Sequence, residues 1–74
     1  MNAAQCRMAR AALGLGVREL AEKAKVAPST ITRLEAGEEL KPRTVEAIQR
    51  ILEAEGVEFT NGEAPGVRLW GFKS

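Results

Sequence analysis

The side chains best equipped for chemistry in this chain cluster at Ser29, Thr30, Thr32 and Arg33. Three short hydroxyls and one guanidinium suit base edges and phosphate oxygens at the floor of a major groove. There an arginine fork grips guanine O6 and N7 with two hydrogen bonds. Covalent chemistry has little raw material by comparison. The sequence holds no His, no Asp and no Tyr, and Cys6 is its single cysteine. A general base would have to be Glu, Lys or Cys6, and none stands in a nucleophile–base arrangement, so no enzymatic activity is expected. One cysteine without histidine excludes both paired Cys/His metal sites and a disulfide scaffold. Neither a metal nor a cofactor is expected. A lone Cys suits a reducing compartment, where it packs as a small hydrophobe.

Seventy-four residues make one folding unit at most. A chain of this size buries only about 60% of its unfolded surface, which leaves a thin core and little material for a pocket. No apolar run reaches membrane-spanning length and no signal segment opens the chain. The expected location is the cytoplasm, in association with the nucleoid, with no membrane partner. Net charge is only +1, but it is unevenly spread. Residues 1–35 carry six basic side chains against Glu19, Glu22 and Glu35, a net of +3. Residues 36–74 carry five basic and seven acidic ones, a net of −2. A positive face meeting phosphates, with an acidic end turned away, is one reading of this asymmetry. An ordinary solvated surface is the other.

Positioning the hydroxyl–arginine cluster falls to four short helices. The first runs from about Asn2, as N-cap, to Leu13, with Cys6, Ala9 and Leu13 on one stripe and Gly14 as its stop. The second shows Val17, Leu20, Ala21 and Ala24 at i, i+3, i+4 and i+7. A third opens at Pro28, tolerated at a first helical position because its missing N–H has no partner there. It turns Ile31 and Leu34 inward and stops at Gly37. The fourth is expected from about Thr44 to Glu55, burying Val45, Ile48, Ile51 and Leu52 and ending at Gly56. After Gly56 the period changes from 3.6 to 2. Val57–Thr60 and Val67–Trp70 read as strands around Asn61-Gly62 and Pro65-Gly66, a β-hairpin with a loop of about six residues. An isolated hairpin is marginal in water and must pack on something.

Only Lys25, Val26 and Ala27 separate the second and third helices, so the two cross steeply and pack through Leu20, Ala21, Val26, Ile31 and Leu34. The stretch from Val17 to Gly37 resembles the Cro/repressor-like helix-turn-helix regulators of bacteria and phages. Leu20-Ala21, Val26, Thr30-Ile31, Leu34-Glu35 and Gly37 fall where that family places them, and Lys41-Pro42-Arg43-Thr44 resembles its lead into the fourth helix. The likeness covers residues 4 to about 55. It implies a mainly α fold: a four-helix, lambda-repressor-like helix-turn-helix domain over residues 1–56, followed by a C-terminal β-hairpin over 57–74. It further implies that the third helix lies in the major groove of double-stranded DNA with Pro28, Ser29, Thr30, Thr32 and Arg33 facing it. Ser29 and Arg33 would contact bases. Lys41, Arg43 and the first turn of the second helix, at Val17 and Arg18, would hold phosphates. Arg10 and Glu35 match a family pair that ties the first helix to the end of the recognition helix, a structural role.

The chain departs from the family pattern at Val17, which offers a phosphate only its backbone N–H. It departs again at Ala27, which cannot cap the third helix by side chain, and at Glu38 and Glu39, which add repulsion beside the backbone. Val57, Phe59, Leu69, Trp70 and Phe72 exceed what two strands bury alone and are expected to form a homodimer interface. Either edge strands pair across a two-fold axis, or the apolar face packs on the partner's fourth helix. The leading expectation is a sequence-specific transcriptional regulator, a repressor, acting as a homodimer. The alternative is a protein-interaction or antitoxin-like module with weak DNA binding. For Cys6 and Met8 packing is the favoured role, and for Glu53 and Glu55 a solvated helix face.

Overall fold

In the computed structural model, which describes residues 1–61 and 64–70, four helices precede an antiparallel hairpin. These are α1 (Ala3–Leu13), α2 (Val17–Ala24), α3 (Pro28–Glu35) and α4 (Pro42–Ala54), then β1 (Val57–Thr60) and β2 (Gly66–Leu69). The helix ends follow local chemistry. Asn2 caps α1 through a reciprocal box: its side chain accepts from Gln5 N at 2.8 Å, and Gln5 Oε1 accepts from Asn2 N at 2.9 Å. Gly14 and Gly37 adopt φ of 70° and 91°, backbone that a side chain would strain. The fourth helix begins at Pro42, two residues ahead of the expected Thr44, because a proline at the first helical position forfeits no bond. Strand β2 likewise begins at Gly66, one residue early.

Each helix sends two apolar side chains into one core, and β1 adds a single residue. Cys6 and Ala9, Leu20 and Ala21, Ile31 and Leu34, and Ile48 and Leu52 meet Val57 there. Leucine and isoleucine fill most of this core, and the small Cys6, Ala9 and Ala21 sit between them. Val57 is only 1% exposed. This corrects the expectation that placed Val57 on a surface shared with a second copy: it belongs to the core of its own chain. The register pairs Val57 with Leu69 and Phe59 with Val67, so these four share the face turned to the helices. Phe59 and Val67 pack partly buried against the core. Phe72, expected beside them, lies outside the described residues.

A single buried amide fastens the hairpin to α1. Besides closing the N-terminal box, Gln5 Nε2 donates to Thr60 O at 2.9 Å and to Gly66 O at 3.1 Å. Thr60 and Gly66 are register partners at the loop end of the β1–β2 pairing, so one side chain holds both strands where the loop leaves them. At the other end Trp70 N donates to Gly56 O at 2.8 Å. Replacing Gln5 by Ala leaves two strand carbonyls without their partner, at an expected cost of about 2 kcal/mol. Urea melts should show that loss, and hydrogen exchange should show the Trp70 amide opening faster. A Gln5→Ala protein as stable as wild type would mean that apolar contact alone retains the hairpin.

Candidate nucleic-acid interface

The connection between α2 and α3 is made without glycine. Lys25 takes the left-handed conformation, φ 58° and ψ 44°. Lys25 N donates to Glu22 O at 3.2 Å and Val26 N to Ala21 O at 3.0 Å, closing the last turn of α2. Left-handed backbone costs a residue with a Cβ roughly 1–2 kcal/mol, so this turn is held by the packing of the two helices around it. Leu20, Ala21, Ile31 and Leu34 supply that packing, with Val26 half-buried over them. Ala27 precedes α3 with no side-chain cap, and Pro28 occupies the first helical position.

The C-terminal end of α3 is gripped from α1. Arg10 donates from Nε to Glu35 Oε2 and from Nη2 to Glu35 Oε1, both at 2.9 Å, a bidentate pair. A third donor, Arg10 Nη1, reaches Leu15 O at 3.2 Å. Arg7 Nη1 donates to Glu35 O, and Cys6 Sγ donates to Glu35 Oε2 at 3.4 Å. Burial pushes the Glu35 carboxyl toward a higher pKa. The hydrogen bonds from Arg10 and Cys6, with the charges of Arg10 and Arg7, outweigh it and hold the pKa below the ordinary value. Burial, the Glu35 charge and the bond to Glu35 push the Cys6 thiol up to about 12. Cys6 is therefore an unionised donor in the core. The family resemblance pointed to Arg10 and Glu35 but not to Arg7, whose signal is its place three residues before Arg10 on the same helix face.

On the opposite side of α3, Pro28, Ser29, Thr32 and Arg33 are exposed and Thr30 is half-buried. Thr32 Oγ1 donates back to Pro28 O at 3.3 Å, which leaves its oxygen only as an acceptor. An open cleft between α3 and the α3–α4 connection brings Thr30, Arg33, Lys41 and Thr44 together, with Glu39 on the same wall. Arg18 and Arg43 are exposed in the first turns of α2 and α4, outside that cleft, and Val17 is partly buried against the core. Two acidic residues intrude. Glu19 Oε1 accepts from Gly16 N at 2.9 Å at the start of α2, so a carboxylate already stands where a phosphate would approach. Glu38 Oε1 accepts from Arg33 Nε at 3.1 Å. Leu69 and Trp70 stand 38% and 70% exposed at the end of β2. Among the described residues no group of acidic or thiol side chains is arranged to hold a metal ion, and no helix is long and apolar enough to cross a membrane.

A family model described as a helix-turn-helix domain matches residues 3–61, the four helices together with β1. No curated protein matches the chain.

The Arg10–Glu35 pair makes stability depend on pH with a definite sign. Glu35 ionises more readily in the folded chain than in the unfolded one, where its pKa is about 4.3. The pair therefore contributes fully above that value, and its contribution is lost as pH falls through the folded pKa. Glu35→Gln should cost about 3 kcal/mol at pH 7. That is the low end for a buried pair, since Arg10 keeps 24% of its side chain exposed. Urea melts should show the gap between wild type and Glu35→Gln narrowing as pH drops below about 4. A gap that stays constant from neutral to acidic pH would remove the pair from its stabilising role.

Proposed function

Because the chain belongs to the helix-turn-helix domain family, a DNA-binding fold, we propose that it is a sequence-specific transcriptional regulator that lays α3 in the major groove of duplex DNA. One observation carries this reading. The helix is anchored along its inner face by Ile31 and Leu34 and at its end by Arg7 and Arg10. Its outer face meanwhile offers Ser29, Thr32 and Arg33 to solvent. A rigid helix with short polar side chains and one arginine outward is what base readout needs. Arg33 and Ser29 contact bases. Lys41, Arg43 and Arg18, with the backbone N–H groups of the first turn of α2, take phosphates and set the register.

The regulator acts as a homodimer and represses by occupying its site. One copy extends 29 × 27 × 18 Å, and half-sites lie about 34–36 Å apart along the duplex. A second half-site is therefore read by a second copy. The contact between copies falls on the hairpin at Leu69 and Trp70, the large apolar side chains left exposed at its end. The alternative, a protein-interaction or antitoxin-like module, draws on the carboxylates of Glu19 and Glu38, which already engage donors on the face that would meet DNA.

Selection of bound duplexes from a random pool tests the reading and yields the site. Arg33→Ala should then lose about 1–3 kcal/mol and relax preference at one base pair. Arg43→Ala should weaken all sequences alike and lower the salt slope by about one. Retention on duplex DNA with no salt dependence, or none at all, would favour the interaction module. For the dimer, light scattering should report two copies for the wild type and one for Trp70→Ser. A wild type that remains monomeric at tens of micromolar overturns that part.

A further inference from the structure

The turn after α3 holds a carboxylate against the arginine that reads DNA. Gly37, at φ 91°, lets the chain reverse so that Gly37 N donates to Leu34 O and Glu38 N to Arg33 O, both at 3.0 Å. This pair of bonds is the glycine-dependent closure that ends many helices. It fixes the backbone of Glu38 directly over Arg33. The side chain then adds a second link, Glu38 Oε1 accepting from Arg33 Nε at 3.1 Å. Nη1 and Nη2 of Arg33 have no partner among the described residues. The guanidinium is thus held from its inner edge while its outer fork stays open.

We propose that Glu38 is a specificity-determining residue, one that orients Arg33 and withholds its charge from DNA lacking a guanine at the right place. The inference rests on the reading of Arg33 as a base-contacting residue. The outer fork can grip guanine O6 and N7 end-on, and that grip leaves the Nε bond to Glu38 intact. On other sequences Arg33 offers only a diffuse attraction for phosphates, which the adjacent carboxylate cancels. Glu38 therefore weakens binding to the wrong sequence more than to the right one. Arg33 and Glu38 side chains are 55% and 52% exposed, so solvent and salt screen the pair and the effect is several-fold rather than orders of magnitude.

The test compares the full chain on two duplexes by fluorescence anisotropy. One is recovered by selection from a random pool. The other replaces the base pair at which Arg33→Ala loses discrimination. Glu38→Gln keeps an acceptor for Nε but drops the charge, and Glu38→Ala drops both. Both variants keep the backbone N–H that closes α3, and circular dichroism checks that they fold. Glu38→Gln should tighten binding to the substituted duplex about two- to fivefold and to the selected duplex less. The ratio between duplexes should fall further in Glu38→Ala. In an Arg33→Ala background, Glu38→Ala should tighten both duplexes equally. If Arg33→Ala lowers the ratio while both Glu38 variants retain it, the proposal fails and the reading of Arg33 stands. If no duplex is selected, or Arg33→Ala keeps full discrimination at every base pair, the reading fails and takes the proposal with it.

Discussion

Glu35 lies in the last turn of α3 and accepts both arms of Arg10 and the thiol proton of Cys6, while Arg7 takes its backbone carbonyl. Three side chains of α1 thus converge on one residue of α3. Apolar packing through Ile31 and Leu34 holds α3 down but resists rotation about its own axis weakly, because dispersion is non-directional. A bidentate ion pair is directional. With the C-terminal turn fixed in this way, Ser29, Thr32 and Arg33 face outward as a consequence of how the helix is clamped. The arrangement needs a negative carboxylate and an unionised thiol together: the hydrogen bonds and arginine charges hold the carboxylate ionised against its burial, while burial and the Glu35 charge keep the thiol protonated.

The second constraint is the thinness of the core. Cys6, Ala9 and Ala21 fill positions where a larger protein could place leucine, and Val57 of β1 completes the core that they leave thin. The hairpin is consequently part of the fold that presents α3. Gln5 links the two ends of this assembly, since the amide that completes the N-terminal box of α1 also holds Thr60 and Gly66. The family match running through residue 61 agrees with this placement of β1. Among the described residues, Leu69 and Trp70 at the end of the hairpin and Met8 on α1 are the large apolar side chains left exposed.

The face around α3 carries less positive charge than a count of its cations indicates. Glu19 and Glu38 accept from Gly16 N and Arg33, and Glu39 lines the same cleft as Arg33 and Lys41. Phosphate attraction is indifferent to sequence and salt-sensitive, whereas base contacts discriminate. In the proposed DNA complex, reducing the first without removing the second trades affinity for selectivity, and the contact of Glu38 with Arg33 is what would do so.

Much of the fold was legible because its causes are local. Spacing at 3.6 residues marked the four helices, and Gly14, Gly37 and Gly56 marked their ends, all three adopting positive φ. The change to alternation marked both strands within a residue. The Arg10 and Glu35 side chains, 2.9 Å apart though on separate helices, are the exception: no local pattern marks them, and they were expected only through the family resemblance. What depended on distant segments was not legible. Val57 and Leu69 have the same strand signature and face the same way, yet Val57 is buried and Leu69 is not. Alternation says which residues share a face, but only the packing of α1 and α4 decides that, of two residues directly across the ladder from each other, one is covered and the other is not. The left-handed Lys25 and the clasp of Gln5 were equally hidden, and so was the hold of Glu38 on Arg33. A strained turn is tolerated, and a polar side chain finds its partner, only after elements far apart in sequence have packed.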